Sequence, residues 1–427
     1  MATSHFARLP GFRDFPPEEF ALRTHIFEAW RRASRRYGFL EYDGPPLEPL
    51  ELYVEKSGEE IVGQLYTFTD KGGREVALRP EMTPSLVRIL GERSRGMSKP
   101  IRWFSIPQLF RYERQQRGRL REHFQWNVDI VGEAGIRADA EVLAVAVAGL
   151  RELGLSAEDF RARVSDRNLL SAVLGESGVP AERVPDAFGA IDKIEREPRE
   201  RTLERLTDRV GLDPHAARAV LELFDASGLD GVRARYGHVE AVAAELERID
   251  AYLGTLHAMG LGDFVEVDLS IVRGLAYYTG IVFELFDRRG KLRAICGGGR
   301  YDRLLERVGG EPLPAVGFGM GDVVLGELLK ERGLRPEFRR AVDYFVVSIG
   351  PEVRADALRV AQALRAQGHS VAYALKEQSV RKQFRAAENE GAREAIVLGP
   401  DEVADRVAVI RDMTTGAERR VPLEELA

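Results

Sequence analysis

Over the first 331 residues of this 427-residue chain, segments patterned as β-strands fall into two blocks, and the long stretch between the blocks is patterned as helix. In the first block, "QLYTFTD" and "REVALRPEM", joined by "KGG", read as a hairpin, while "IRWFSIPQLFRYER" and "REHFQWNVDIVG" read as extended segments on either side of an arginine-rich tip. In the second, "DFVEVDLSIVRGLAYYTGIVFELF" and "LRAICGGGRYDRLL" read as strands again. Strands joined by hairpins rather than by crossover helices predict an antiparallel sheet. From residue 160 to about 260 the pattern is almost wholly helical, as in "ERTLERLTDRVG" and "HVEAVAAELERIDAYLGTLHAMG". The simplest organisation is an α+β core whose sheet is flanked by helices and built from residues 1–159 and 261–331, with residues 160–260 as a helical insertion.

The core is preceded by an amphipathic helix over residues 17–37, with Leu22, Ile26, Phe27, Trp30 and Ala33 at helical spacing, Pro17 at its start and Gly38 just past its end. "GFLEYDGPPLEPLELY" follows as a short strand broken by Pro45, Pro46 and Pro49. At the other end, "KERGLRPEFRRA" reads as a linker, and residues 342–427 alternate as βαβαββ. That order predicts a small, separate α/β domain with parallel pairing.

Composition narrows the function. At 44% apolar and 30% charged residues the chain is an ordinary globular protein, too long for a single core. No apolar run approaches membrane-spanning length and the N-terminus lacks the apolar core of a signal peptide, so a cytoplasmic protein without a membrane partner is expected. The single cysteine, Cys296, excludes an internal disulfide and reads as a small buried apolar residue. A net charge of −6 argues against a protein that coats nucleic acid non-specifically. One basic cluster stands out: Arg111, Arg114, Arg117, Arg119 and Arg121 lie within "RYERQQRGRLREHFQ", and arginine without lysine suits bidentate capture of phosphate. The histidines are scattered and neither CxxC nor HExxH occurs, so no protein-held metal is expected. Walker and GxGxxG sequences are missing as well, so a bound nucleotide would be held in some other way.

Four stretches place polar residues where the pattern expects sheet interior: "LRPEMT", "FRYER", "FQWNVD" and "VRGLAYY". Because the polar residues alternate with apolar ones, they can project from one face of the sheet. They offer Glu81, Thr83, Gln125 and Asp129 for an ammonium or imidazole and Arg111, Arg121 and Arg273 for a phosphate or carboxylate, with Tyr277 and Tyr278 between them. Such a mixture suits an amino acid presented to a nucleoside triphosphate.

On these residues the chain resembles the histidyl-tRNA synthetases, a family of class II aminoacyl-tRNA synthetases. "FLEYDGPPLEPLELY" is similar to the class's first motif, the proline-bearing dimer strand, "QLFRYERQQRGRLREHFQ" to its second and "PAVGFGMGD" to the start of its third. "VRGLAYYTGIVFE" and "ICGGGRYD" resemble the two signatures peculiar to the histidine enzymes, and the resemblance extends over nearly the whole chain. It implies a class II catalytic core, an anticodon-binding domain at 342–427, a homodimer, ATP with its Mg2+ as substrate, and the partners L-histidine and tRNA(His). It implies that Glu81 and Thr83 hold the substrate's α-amino group and that Gln125, Asp129 and Tyr278, with Tyr277 beside them, read its imidazole. Arg111, Glu113, Arg121 and Arg273 fall to ATP, with Arg111 and Arg273 on opposite sides of the α-phosphate.

Those roles agree with the chemistry. The histidine carboxylate is already an anion, so its attack on phosphorus needs alignment and charge stabilisation rather than a strong base, and two flanking arginines supply both. Reading an imidazole by hydrogen bonds discriminates by roughly 10⁴–10⁵, which makes an editing domain unnecessary. Val323 and Val324 stand where the third motif carries a Glu-Arg pair, which leaves the γ-phosphate to another arginine, such as Arg121. Ala276 replaces an acidic residue, Gln115 a proline, and Asp129 a glutamate found in some members. The family also has non-catalytic relatives, of which the regulatory subunit of ATP phosphoribosyltransferase is one. The C-terminal domain and both arginines favour the ligase. Regular pleating cannot bring both Arg273 and Tyr278 to one substrate, so an irregularity is expected at Gly274.

Overall fold

The computed structural model describes residues 7–54, 63–114, 116–194, 197–224, 228–273, 277–290, 292–307, 311–338 and 340–426. They fall into two compact units, residues 1–336 and 337–427. In chain order the strands of the first unit are β1 (Leu40–Glu41), β2 (Leu47–Pro49), β3 (Tyr66–Thr69), β4 (Glu75–Leu78), β5 (Ile101–Ser105), β6 (Gln108–Phe110), β7 (Glu122–Val131), β8 (Phe160–Asp166), β9 (Val265–Val267), β10 (Ile281–Asp287), β11 (Cys296–Arg300) and β12 (Ala315–Gly321). The expected hairpin is β3 and β4, and with β2 it makes a small antiparallel sheet.

The other strands build one sheet in the order β1-β5-β7-β12-β11-β10-β8-β9, with β6 paired to the start of β7. Its six central strands are antiparallel, as the hairpin connections predict. The two edges depart from that expectation, because β1 pairs with β5 and β8 with β9 in parallel. Both pairs are joined by long connections, which parallel pairing requires.

The region read as wholly helical opens with a strand. Phe160–Asp166 is β8 and pairs with β10 over seven residues. Arginines at every other position obscure its alternation in the sequence. Helices begin at Arg167, where the Asp166 carboxylate accepts from the Asn168 and Leu169 amides at 2.7 and 3.2 Å. The last of them, Glu240–Ala258, buries Val242, Leu246, Ile249, Tyr252 and Leu256 in the same apolar cluster as the sheet residues Trp126 and Phe283.

Register divides the main sheet into two chemically distinct faces. Asp129 is level with Gly317, Gly299 and Val282, and Asn127 with Gly319, Gly297 and Glu284. One residue along, Trp126 is level with Met320, Cys296 and Leu285 on the opposite face. The apolar face is covered by the helices Pro17–Arg36 and Ile136–Arg151, and the Trp30 ring stacks on Trp126 with centroids 5.8 Å apart. Fully burying a large apolar side chain contributes about 2 kcal/mol. Cys296 belongs to this face, and burial pushes its thiol above the ordinary range, in keeping with the apolar role expected of it.

Of "RGLAYYTG", the described residues Arg273, Tyr277, Tyr278, Thr279 and Gly280 lie in no strand. The chain leaves β9 at Val267 and re-enters the sheet at Ile281. Gly274, where an irregularity is expected, lies outside the described residues. Arg273 beside it has φ of 58°, a left-handed conformation that a side-chain-bearing residue adopts at a cost.

The second unit has strands β13 (Val342–Ser348), β14 (Val371–Tyr373), β15 (Ala392–Leu398), β16 (Val407–Asp412) and β17 (Glu418–Pro422) in the order β14-β13-β15-β16-β17. Parallel pairing holds for the first three, which the helices Arg354–Ala366 and Val380–Asn389 connect. β16 and β17 are antiparallel instead, since the five-residue helix before β16 is too short for a crossover.

Candidate active site

A cavity of about 320 Å³ opens on the polar face of the main sheet. β7 contributes Gln125, Asn127 and Asp129 in a row, four residues or about 13 Å from end to end. Room above the row comes from glycine. A Cβ at Gly317 would lie 2.1 Å from an Asp129 carboxylate oxygen, and one at Gly319 2.7 Å from the Gln125 side chain. In β11, Gly297 lines the cavity and Gly299 lies on the same face beneath the Tyr278 ring, while Gly298 faces the core, where a Cβ would meet Phe318 and Phe283 at 2.6 and 2.8 Å. Only two of the three glycines in "CGGGR" therefore serve the site.

The segment before the helix Thr83–Arg93 is pinned from below. Arg79 is buried and donates to the Gln108 carbonyl at 3.0 Å and to Asp43 and the Gly44 carbonyl at 2.7 Å each. Arg111 donates from Nε to the Pro80 carbonyl at 2.9 Å. These bonds place Glu81, itself buried, on the cavity wall beside Thr83, which shares a hydrogen bond with Tyr277. The Tyr277 and Tyr278 rings lie 5.0 Å apart, and Tyr277 meets Tyr301 edge-on at 5.9 Å.

At one end the Tyr301 hydroxyl donates to Asp129. Burial raises the Asp129 carboxyl to about 7, and the bond from Tyr301 only partly opposes it. Arg111 and Arg119 line the cavity near His123, and Arg273 lines it beside Tyr278. His123, next in the row on β7 after Gln125, is held down at about 3 by burial and by Arg111, Arg13 and Arg119, so it stays neutral. Arg273 pairs with Glu284 and lies with its guanidinium carbon 5.9 Å from the Tyr278 ring centre. Burial disfavours its charge, yet Tyr278 and Glu284 outweigh burial and raise its pKa further.

Of the residues picked out in the sequence, Glu81, Thr83, Arg111, Gln125, Asp129, Arg273, Tyr277 and Tyr278 meet at this cavity. Glu113 and Arg121 do not line it. Glu113 is buried and paired with Arg119, while Arg121 lies over the Tyr112 ring at 4.2 Å and donates to the Glu113 carbonyl at 3.2 Å. Arg119, two residues earlier, takes the place at the cavity. Sequence reasoning also missed Tyr301, Glu284, Asn127 and Gln64, all on its wall. Tyr301 and Glu284 stand inside the two signature stretches, so a signal for them existed, whereas Gln64 had none.

Val323 and Val324 lie in the first turn of the helix Asp322–Glu331. The residue before them, Asp322, is buried and accepts from the Phe124 amide and from Arg13, each at 2.9 Å. Arg13 also donates to Glu122 at 2.6 Å, so the N-terminal segment is fastened to the start of this helix.

A trough lined by carboxylates, tyrosines and arginines on a sheet of this order holds the groups needed to join an amino acid to a nucleotide phosphate, as the class II aminoacyl-tRNA synthetases do. The sequence profile described as histidyl-tRNA synthetase matches residues 11–321, and that described as anticodon binding domain matches residues 343–427. A histidine–tRNA ligase of Opitutus terrae is 47% identical over 429 residues, covering 100% of this chain and 98% of that protein. The solved histidyl-tRNA synthetase of Nostoc sp. PCC 7120 superposes with a TM-score of 0.81 at 23% identity over 99% of this chain and 98% of that one. A Bacillus halodurans chain titled ATP phosphoribosyltransferase regulatory subunit/histidyl-tRNA synthetase superposes at 0.76 and 23% over 93% of this chain and 100% of that one. Fold alone therefore does not separate ligase from regulator, whereas sequence identity over the full length does. The chain belongs to the histidyl-tRNA synthetase family.

Proposed function

We propose that this cavity carries out the reaction of the family, activation of L-histidine by ATP to histidyl-adenylate followed by transfer to tRNA(His). The observation that carries this reading is the single polar face of the sheet, which gathers Asp129, the tyrosines and three arginines around one cavity. Asp129, Gln125 and Tyr278, with Tyr277 beside them, read the imidazole, and Glu81 and Thr83 hold the α-amino group. Arg111 and Arg273 flank the α-phosphate and stabilise charge as the histidine carboxylate attacks. Its position at the cavity makes Arg119, rather than Arg121, the arginine that meets the phosphate tail in place of the third-motif residue; Glu113 supports it through their ion pair. Arg121 acts from behind, through the backbone of Glu113. Mg2+ arrives with ATP as part of the substrate.

The domain at 342–427 reads the anticodon, and the enzyme works in the cytoplasm; no helix among the described residues is long and apolar enough to cross a membrane. A homodimer is supported by the exposed apolar side chains Leu47, Val54 and Phe68 around the small sheet. Sedimentation at micromolar concentration should give twice the chain mass. Purified protein should catalyse histidine-dependent exchange of pyrophosphate into ATP. Histidine binding without any exchange would instead be the behaviour of a regulatory relative.

A further inference from the structure

We infer that Glu284 is a positioning residue that sets the Arg273 guanidinium in place for the reaction at phosphorus. This rests on the proposed role of Arg273. Arg273 comes from a connection rather than a strand, with φ of 58°, so no sheet ladder fixes where its side chain ends. Glu284 sits in the middle of β10, which is bonded on both sides to β8 and β11. A charge-assisted bond joins the side chain from the connection to the one from the strand. Both side chains are largely buried, 22% and 14% exposed, so the pair is little screened by solvent.

The floor beneath the pair is built for it. Gly297 is level with Glu284 across β10 and β11, and a Cβ there would lie 2.6 Å from the Arg273 guanidinium carbon. The guanidinium rests on bare backbone, bonded to Glu284 and sharing a further hydrogen bond with Tyr278. Its Nε is buried and has no hydrogen-bond partner among the described residues. Without the carboxylate, the cation has the two oxygens of Glu81 as other sites on the same cavity wall. Glu284 therefore acts on the reaction through Arg273, by holding it at a fixed angle and away from those sites.

A double-mutant cycle measured by single-turnover adenylate formation tests this, with histidine and ATP affinities taken from the same titrations. Glu284→Gln keeps the size of the side chain and removes its charge. We expect its rate of adenylate formation to fall by about 10–100-fold while the histidine KM stays within about 2-fold, because an interaction realised in the transition state is lost. In the Arg273→Ala background the same substitution should change the rate by less than about 2-fold, since the residue it acts through is gone. Glu284→Asp should recover part of the loss. If Glu284→Gln does not fold, as judged by its melting curve, Glu284→Asp carries the same comparison. Equal losses in both backgrounds, or a Glu284→Gln rate within about 2-fold of wild type, would overturn the inference while leaving the ligase reading intact. Wild-type protein that forms no adenylate would overturn both.

Discussion

Asp129 is held near neutrality by burial, and that has two consequences at the scale of the residue. Its folded pKa of about 7 lies above the ordinary carboxylate value of 3.8, so the folded state keeps the proton that the unfolded chain releases. The resulting stabilisation is complete below about pH 4 and is lost as pH rises to about 7, at no more than about 1.4 kcal/mol per pH unit. Melting temperatures of the ligand-free protein should therefore fall from pH 5 to 7 more steeply in wild type than in Asp129→Asn. The same position decides substrate reading, and Asp129→Asn should weaken histidine binding while leaving ATP binding in place. Arg273→Ala should do the reverse, with exchange falling by about 10²–10³-fold and histidine binding, followed by calorimetry, largely kept. Both residues were legible in the sequence as polar groups in apolar surroundings. The Arg119-for-Arg121 exchange was not, because two arginines on one side of a short tip look alike until the backbone decides which of them faces the cavity.

Among elements, β11 shows most clearly what alternation does. Its neighbouring glycines face opposite ways, so the same substitution should give opposite results. Gly297→Ala pushes on the far end of a flexible arginine and should abolish exchange with little change in melting temperature. Gly298→Ala meets the Gly317 carbonyl at 2.5 Å and two phenylalanines, so it should lower the melting temperature by several degrees. The sequence pattern gives the strand and the glycines but not which of them are level with Asp129, since register depends on pairing with β12. The connection around Arg273 was misread for a related reason. Its flanks carry strand residues, yet two polar groups needed in one cavity are brought together by leaving the sheet.

For the whole molecule, the chain divides into units of residues 1–336 and 337–427, and the proposed function assigns activation to the first and tRNA recognition to the second. A chain ending at Pro336 should retain histidine-dependent exchange and lose tRNA charging by at least about 10²-fold, or about 3 kcal/mol, in kcat/KM. The alternating pattern of the last ninety residues made that unit legible, as did the hairpins for the central sheet. The strand β8 was hidden by its arginines, and the shared core of the helical stretch and the sheet cannot be read from either alone.

By itself, the sequence determined which residues are available: a chain of local periodicities with carboxylates, tyrosines and arginines set into apolar strands, and stretches specific enough to indicate the family. Those are local properties, carried by side-chain chemistry and by periods of two and 3.6 residues. Only the tertiary structure decided which of these groups share a cavity. Register, the facing of each glycine and the left-handed turn at Arg273 depend on contacts between segments far apart in the chain, such as the pairing of Asp129 with Gly317 on the face that carries Glu284.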